Sequence, residues 1–221
     1  MPEVIINGPE GPIEARYNHS LQSKAPIALI LHPHPEYGGS MNNKVTYALF
    51  RTFSDIGFNT LRFNFRGVGK SEGRFGNGEG ELADAASVLD WLQSYSPNAP
   101  NCWVAGFSFG SWIGMQLLMR RPEINGFISV SPPANNFDFS FLAPCPVSGL
   151  ITQGDKDNIV TKISVDQLKT KLSAQKNINI DYKIIPGADH FYKGYLNILM
   201  YYVRKYLEKR IGYLLKNFSK K

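Results

Sequence analysis

The sequence is short of cysteine and histidine and contains no long hydrophobic run. Only two cysteines occur in 221 residues, Cys102 and Cys145, and each stands at the start of an expected buried strand. That placement reads as small core residues rather than a disulfide framework, which suits a reducing compartment, and a cytoplasmic protein is expected. No apolar stretch approaches the roughly 18–20 residues of a membrane-crossing helix. The first residues, Met1-Pro2-Glu3-Val4, carry an early acid and none of the apolar core of a secretory signal. Repeats, low-complexity stretches and linker-like shifts in composition are also missing. Residues 1–221 are therefore read as one α/β domain.

A net charge of +6 would suggest an acidic partner, but its distribution argues otherwise. Residues 203–221 hold seven basic side chains against Glu208 alone, which accounts for the whole surplus. The body of the chain is neutral, so no nucleic-acid surface is expected. A basic, amphipathic C-terminal extension at 212–221 is compatible with contact at a membrane surface or a partner subunit.

What the chain does contain is alternation. Residues 27–31 (IALIL) are apolar throughout, as a parallel strand buried on both faces should be. Similar runs lie at 59–65, 102–105, 126–130, 147–152 and 180–185, with helical patterns at 42–56, 80–95, 108–121, 160–176 and 193–215. An N-terminal β-hairpin is expected over 4–17. The pattern predicts a doubly wound, mostly parallel sheet. Only after Val130 does a helix fail to follow; residues 131–143 (SPPANNFDFSFLA) form a short loop with three phenylalanines.

Two Gly-x-Ser-x-Gly motifs occur, and context separates them. Gly106-Phe107-Ser108-Phe109-Gly110 follows an apolar strand directly and opens a helix. A serine there sits on a sharp turn, its hydroxyl lifted above the strand end and the helix N-terminus aimed at a developing oxyanion. Gly69-Lys70-Ser71-Glu72-Gly73 runs instead into a glycine-rich loop with no helix. The overlapping Gly67–Ser71 stretch imitates the end of a phosphate-binding loop, but position 64 is Asn64 and no helix follows, so nucleotide binding is not expected. Ser108 needs a base held by an acid. His190 lies on the loop after the last strand, and Asp155 or Asp157 follows the strand before it, with Asp189 a third candidate. The order serine, acid, histidine is that of a hydrolase.

On these residues the sequence resembles the α/β-hydrolase family along nearly the whole chain. Members commonly carry the acid in Gly-x-x-Asp-x-x-Val, matched by Gly154, Asp157 and Val160, and the histidine in Gly-x-x-His, matched by Gly187 and His190. The resemblance therefore selects Ser108, Asp157 and His190 as the triad. It also implies an oxyanion hole built from the Phe109 N–H and one N–H of the loop after the first parallel strand, His32-Pro33-His34-Pro35-Glu36-Tyr37-Gly38-Gly39. Pro33 and Pro35 have no N–H, which leaves His34 between them as the donor. The run at 62–71 resembles a structural Arg-Gly-x-Gly-x-Ser segment of the family. Together with the HPHP loop it is similar to compact, cap-less bacterial-type members, dienelactone-hydrolase-like and serine-aminopeptidase-like. Dienelactone hydrolases use cysteine, so their substrate does not carry over to Ser108.

The short loop at 131–143 predicts an open, shallow site with minimal cap, lined by Tyr37, Phe137, Phe139, Phe141 and Leu142. Alternatively, these aromatics seal the sheet edge. His32 and His34 share a face of an extended chain but lack a third ligand, so no metal is expected, and acyl transfer requires no cofactor. The expected activity is cleavage of a small-molecule or short acyl or peptidyl substrate: an ester or thioester, with a peptidase using Glu36 as an amine clamp or a non-catalytic binding protein as alternatives.

Overall fold

The computed structural model describes residues 3–218, and side chains as far as Gly212. Eight strands form one sheet: β1 (Glu3–Gly8), β2 (Gly11–Asn18), β3 (Ile27–Leu31), β4 (Asn59–Phe63), β5 (Cys102–Phe107), β6 (Ile124–Val130), β7 (Gly149–Gly154) and β8 (Ile180–Ile185). Their order is β1-β2-β4-β3-β5-β6-β7-β8. The hairpin β1–β2 joins antiparallel to β4, and all later pairings are parallel. β3, β4, β5 and β7 are buried at every position, because helices cover both faces.

The five helices are α1 (Lys44–Ile56), α2 (Glu79–Ser94), α3 (Phe109–Arg120), α4 (Lys162–Ser173) and α5 (Leu196–Phe218). Local chemistry fixes their ends. The Asn43 side chain accepts the Val45 and Thr46 N–H groups to start α1, and Gly57, in a left-handed conformation, stops it. One core, with Leu82, Val88, Ile113 and Leu168, lies under α2, α3 and α4. The other, with Leu49, Phe50, Leu199 and Val203, lies under α1 and α5.

After β3 the chain moves outward to β4, then returns past β3 to lay down β5. The strand order thus reverses between β3 and β5, and the crevice beyond their carboxyl ends is where α/β sheets place ligands. The strand expected to reach residue 65 ends at Phe63: the Asn64 N–H still donates to the Glu14 carbonyl, but the Phe65 N–H turns to His32 Nε2. The Asn64 side chain accepts the Met41 N–H and donates to Glu14. Between β6 and β7 the only helical element is one 3-10 turn, Ser140–Leu142. α5 passes through Gly212 without a break, so the expected extension begins inside a helix. The side chains of 213–218 and all of 219–221, to which its surface contact was assigned, lie outside the described residues. No described helix is long and apolar enough to cross a membrane.

Candidate active site

Ser108 occupies the turn between β5 and α3 with φ 53° and ψ −121°. A non-glycine residue in that region costs roughly 1–3 kcal/mol, so its surroundings must hold it there. They do so through the Ser108 N–H, which donates to the Val130 carbonyl at 2.8 Å, and the Ser108 carbonyl, which accepts the Ser111 N–H and hydroxyl at 2.8 and 2.6 Å. The glycines of the motif make the turn possible. A Cβ on Gly106 would overlap the Gly110 carbonyl, and one on Gly110 would stand 2.5 Å from the carbonyl oxygens of Leu31 and His32. Gly110 thereby lets α3 press against the end of β3.

His190 reaches Ser108 from the loop after β8, its Nε2 3.1 Å from the serine Oγ, while its Nδ1 lies 2.7 Å from Asp157 Oδ2. A carboxylate can only accept, which assigns the Nδ1 proton to the histidine. Asp157 is fixed by three further donors. Ile159 and Val160 give backbone N–H groups to Oδ1 at 2.9 and 2.8 Å, and the Gln153 amide gives a proton to Oδ2 at 3.2 Å. Burial opposes ionisation of Asp157, but the hydrogen bond and charge of His190 and the two backbone donors outweigh it and hold the carboxyl below its usual range. The other candidate acids are occupied elsewhere. Asp155 accepts the Gly187 N–H at 2.6 Å, bracing the histidine loop, and Asp189 accepts the Lys193 N–H at 3.0 Å. Tyr192, left-handed at φ 54° and buried, shares a 2.9 Å hydrogen bond with Ser131, also left-handed, and so ties that loop to the end of β6.

His34 and Phe109 stand side by side, their rings 4.8 Å apart. Phe109 opens α3, so its N–H has no partner within the helix. His34 precedes a single 3-10 turn, Pro35–Tyr37, and its carbonyl accepts the Tyr37 and Gly39 N–H groups. His32 has a different role. Its Nδ1 donates to the Pro33 carbonyl at 2.6 Å and its Nε2 accepts the Phe65 N–H at 3.0 Å, fastening the end of β3 to the chain leaving β4. Complete burial takes its pKa down to about 3, against the pull of the Pro33 carbonyl. Both nitrogens are engaged, so His32 offers no lone pair to a metal.

Ser71, the other motif serine, is buried. Its hydroxyl donates to the Asn64 carbonyl at 2.7 Å and accepts the Glu14 N–H at 2.9 Å. Arg66 beside it is buried against Asp84 through a two-pronged pair of 3.0 and 2.7 Å, consistent with the structural role read from the sequence.

The expected lining residues divide. Tyr37 is 87% exposed with its ring 4.7 Å from His34. Phe137 packs on Phe109 and Trp112 at 5.7 and 4.4 Å. Phe139 and Leu142, only 8% and 1% exposed, belong to the core, and Phe141 stacks on Phe139. Phe137, Phe139 and Leu142 line a groove against α4 that does not include Ser108. The loop therefore packs Phe137 on Phe109, the residue after Ser108, and buries Phe139 and Leu142 in the core. Three residues near the site were not read from the sequence. Phe75 touches both His34 and Phe109, at 4.8 and 5.9 Å, and Phe191, 55% exposed, lies against His190. The third is Gln153. The amide after Thr152 in the run Gly149–Gly154 was the available signal, since a buried polar group needs a partner.

Comparison with known proteins gives a consistent picture. The family model of the alpha/beta hydrolase fold matches residues 29–146. A protein of unknown function from Agrobacterium tumefaciens, a candidate α/β hydrolase, is 56% identical, with a TM-score of 0.93 over 96% of this chain and 97% of that one. XC6422 of Xanthomonas campestris, an α/β serine hydrolase without a lid, is 31% identical with a TM-score of 0.85, covering 94% of both chains. The lysophosphatidylserine lipase ABHD12 of Rattus norvegicus is 26% identical over 71% of this chain and 44% of its own, so the chain spans less than half of that relative.

Proposed function

The chain belongs to the α/β-hydrolase fold family, and from that premise we propose that it is a serine hydrolase cleaving carboxylic esters or thioesters through an acyl-enzyme on Ser108. The observation that carries this reading is the unbroken array from Ser108 Oγ through His190 to Asp157, at 3.1 and 2.7 Å. Degenerate hydrolase folds that only bind have no need of such an array, and it speaks against a non-catalytic role.

In this reading His190 Nε2 takes the hydroxyl proton as Ser108 Oγ attacks the carbonyl carbon. Asp157 keeps the Nδ1 proton in place and stabilises the imidazolium that forms. The His34 and Phe109 N–H groups receive the oxyanion, with the N-terminal end of α3 adding a favourable partial charge. His190 then protonates the leaving oxygen or sulfur, and water attacks the acyl-enzyme by the reverse proton route. No step calls for a metal or organic cofactor.

A fluorophosphonate probe tests the nucleophile. The native protein and Ser71→Ala should label alike and Ser108→Ala not at all. Labelling that survives Ser108→Ala sinks the assignment. Esterase activity should fall by about 10⁴-fold or more in Ser108→Ala and His190→Ala. p-Nitrophenyl esters assayed beside aminoacyl anilides separate ester from peptide cleavage, with turnover expected on the esters.

A further inference from the structure

The rings of His34, Phe75, Trp112 and Phe137 gather around Phe109, the residue that follows Ser108. Phe75 contacts His34 and Phe109, Phe109 contacts Trp112 and Phe137, and these last two lie 4.4 Å apart. Phe75, Trp112 and Phe137 are only partly buried and pack against the core under α2, α3 and α4. His190 approaches from the opposite face, its ring 5.0 Å from Phe107, which belongs to the core under α1 and α5.

A carbonyl carbon bound to Ser108 has three other directions to fill. Its oxygen points at the His34 and Phe109 N–H groups, and its leaving group must point at His190 to receive a proton. The remaining substituent, the acyl chain, is directed away from His190 and toward the side of the chain that carries the partly buried rings of Phe75, Trp112 and Phe137. Resting on the acyl-transfer reading, we infer that this aromatic shelf selects substrates whose acyl group is a sizeable apolar chain or ring over those carrying acetyl. The acyl chain is the occupant that covers the exposed faces of Phe75 and Phe137. Phe137 also lines the groove against α4, about 430 Å³ in volume, where Leu142, Leu168 and Leu172 stand among polar side chains such as Gln167 and Lys171. Each methylene half-removed from water on such a shelf is worth about a twofold gain in kcat/KM, and four of them more than tenfold.

The test holds the leaving group constant. kcat/KM for p-nitrophenyl acetate and p-nitrophenyl hexanoate, each divided by the ester's alkaline hydrolysis rate, is measured per fluorophosphonate-titrated site. The native protein should favour hexanoate by about tenfold or more. Phe75→Ala and Phe137→Ala should each cut that ratio several-fold, whereas Phe191→Ala, on the His190 side, should leave the ratio as it is. Where an alanine variant does not fold, the leucine variant at the same position, keeping bulk and losing the ring, should give an intermediate ratio. A native ratio near one, or a ratio that survives loss of both rings, overturns the inference and leaves ester hydrolysis at Ser108 standing. Labelling of Ser108 without turnover of either ester also overturns it. Failure to label Ser108 at all removes the acyl-transfer reading itself.

Discussion

Gln153 spends all its donor capacity on one loop. Its amide nitrogen reaches Asp157 Oδ2 and the carbonyls of Gly154 and Val160 at 3.2, 3.2 and 2.8 Å, so one side chain clamps both ends of the acid loop and the acid itself. Replacing it with leucine keeps the volume and removes the clamp. Hydrogen bonds to charged groups contribute about 1.5–3 kcal/mol, but here the effect passes through Asp157 and His190. The expected result for Gln153→Leu is a fall in kcat of about tenfold with KM within twofold, matched by slower fluorophosphonate labelling of Ser108. An unchanged labelling rate would reduce Gln153 to a purely structural residue. The proposed triad was more open to reading from the sequence. Ser108, Asp157 and His190 each follow a strand end marked by glycine, and their order along the chain is itself a signal. Gln153 and Phe75 have no such markers: one hides in an apolar strand, the other in a glycine-rich loop without periodicity.

At the scale of the element, α3 carries two glycines with opposite expected behaviour. A methyl at Gly110 would strike the backbone carbonyls of Leu31 and His32, which cannot yield without moving β3 or the helix. A methyl at Gly114 would meet Leu31 Cδ1 at 3.5 Å and Val104 at 3.8 Å, which is ordinary contact. Gly110→Ala should therefore destabilise by at least ~2 kcal/mol and displace the Phe109 N–H, with loss of labelling. Gly114→Ala should stabilise by roughly 0.5–1 kcal/mol through helix propensity. Urea unfolding of the two variants decides both, and equal effects would contradict the close approach of α3 to β3. The existence of every strand and helix was legible from apolar runs and 3.6-residue periods. Their ends were less so, because side-chain hydrogen bonds set them: Asn43 caps α1, whose first residue lies two past the start of the expected pattern, and His32 takes the Phe65 N–H at the end of β4.

For the molecule as a whole, the sheet makes acid stability depend on a histidine outside the proposed triad. His32 stays neutral in the folded protein down to about pH 3, whereas the unfolded chain protonates it near 6.5. Above pH 6.5 neither state takes up the proton and stability is fully present. Between 6.5 and about 3 unfolding binds a proton, so stability falls as the pH falls, by about 1.4 kcal/mol per unit. Half-buried His34, its pKa lowered chiefly by burial, adds in the same direction, and Asp157 contributes only below the ordinary carboxylate range. Urea midpoints measured from pH 7 to 5 should show this slope, and His32→Gln should flatten it by about one proton; an identical slope in the variant would exclude His32 as its source. The strand order behind this behaviour was read only as far as a doubly wound sheet. Apolar runs reveal that strands are buried, but not which neighbours they choose. The bare stretch from β6 to β7, with its single 3-10 turn, has a consequence in time rather than in space. Among the described residues no α-helix stands between β6 and β7 that could close as a lid, so turnover is expected to proceed without a closing step. Progress curves should run straight from the moment of mixing, without lag or hysteresis, and the pace should be set by bond-making at the serine rather than by a door.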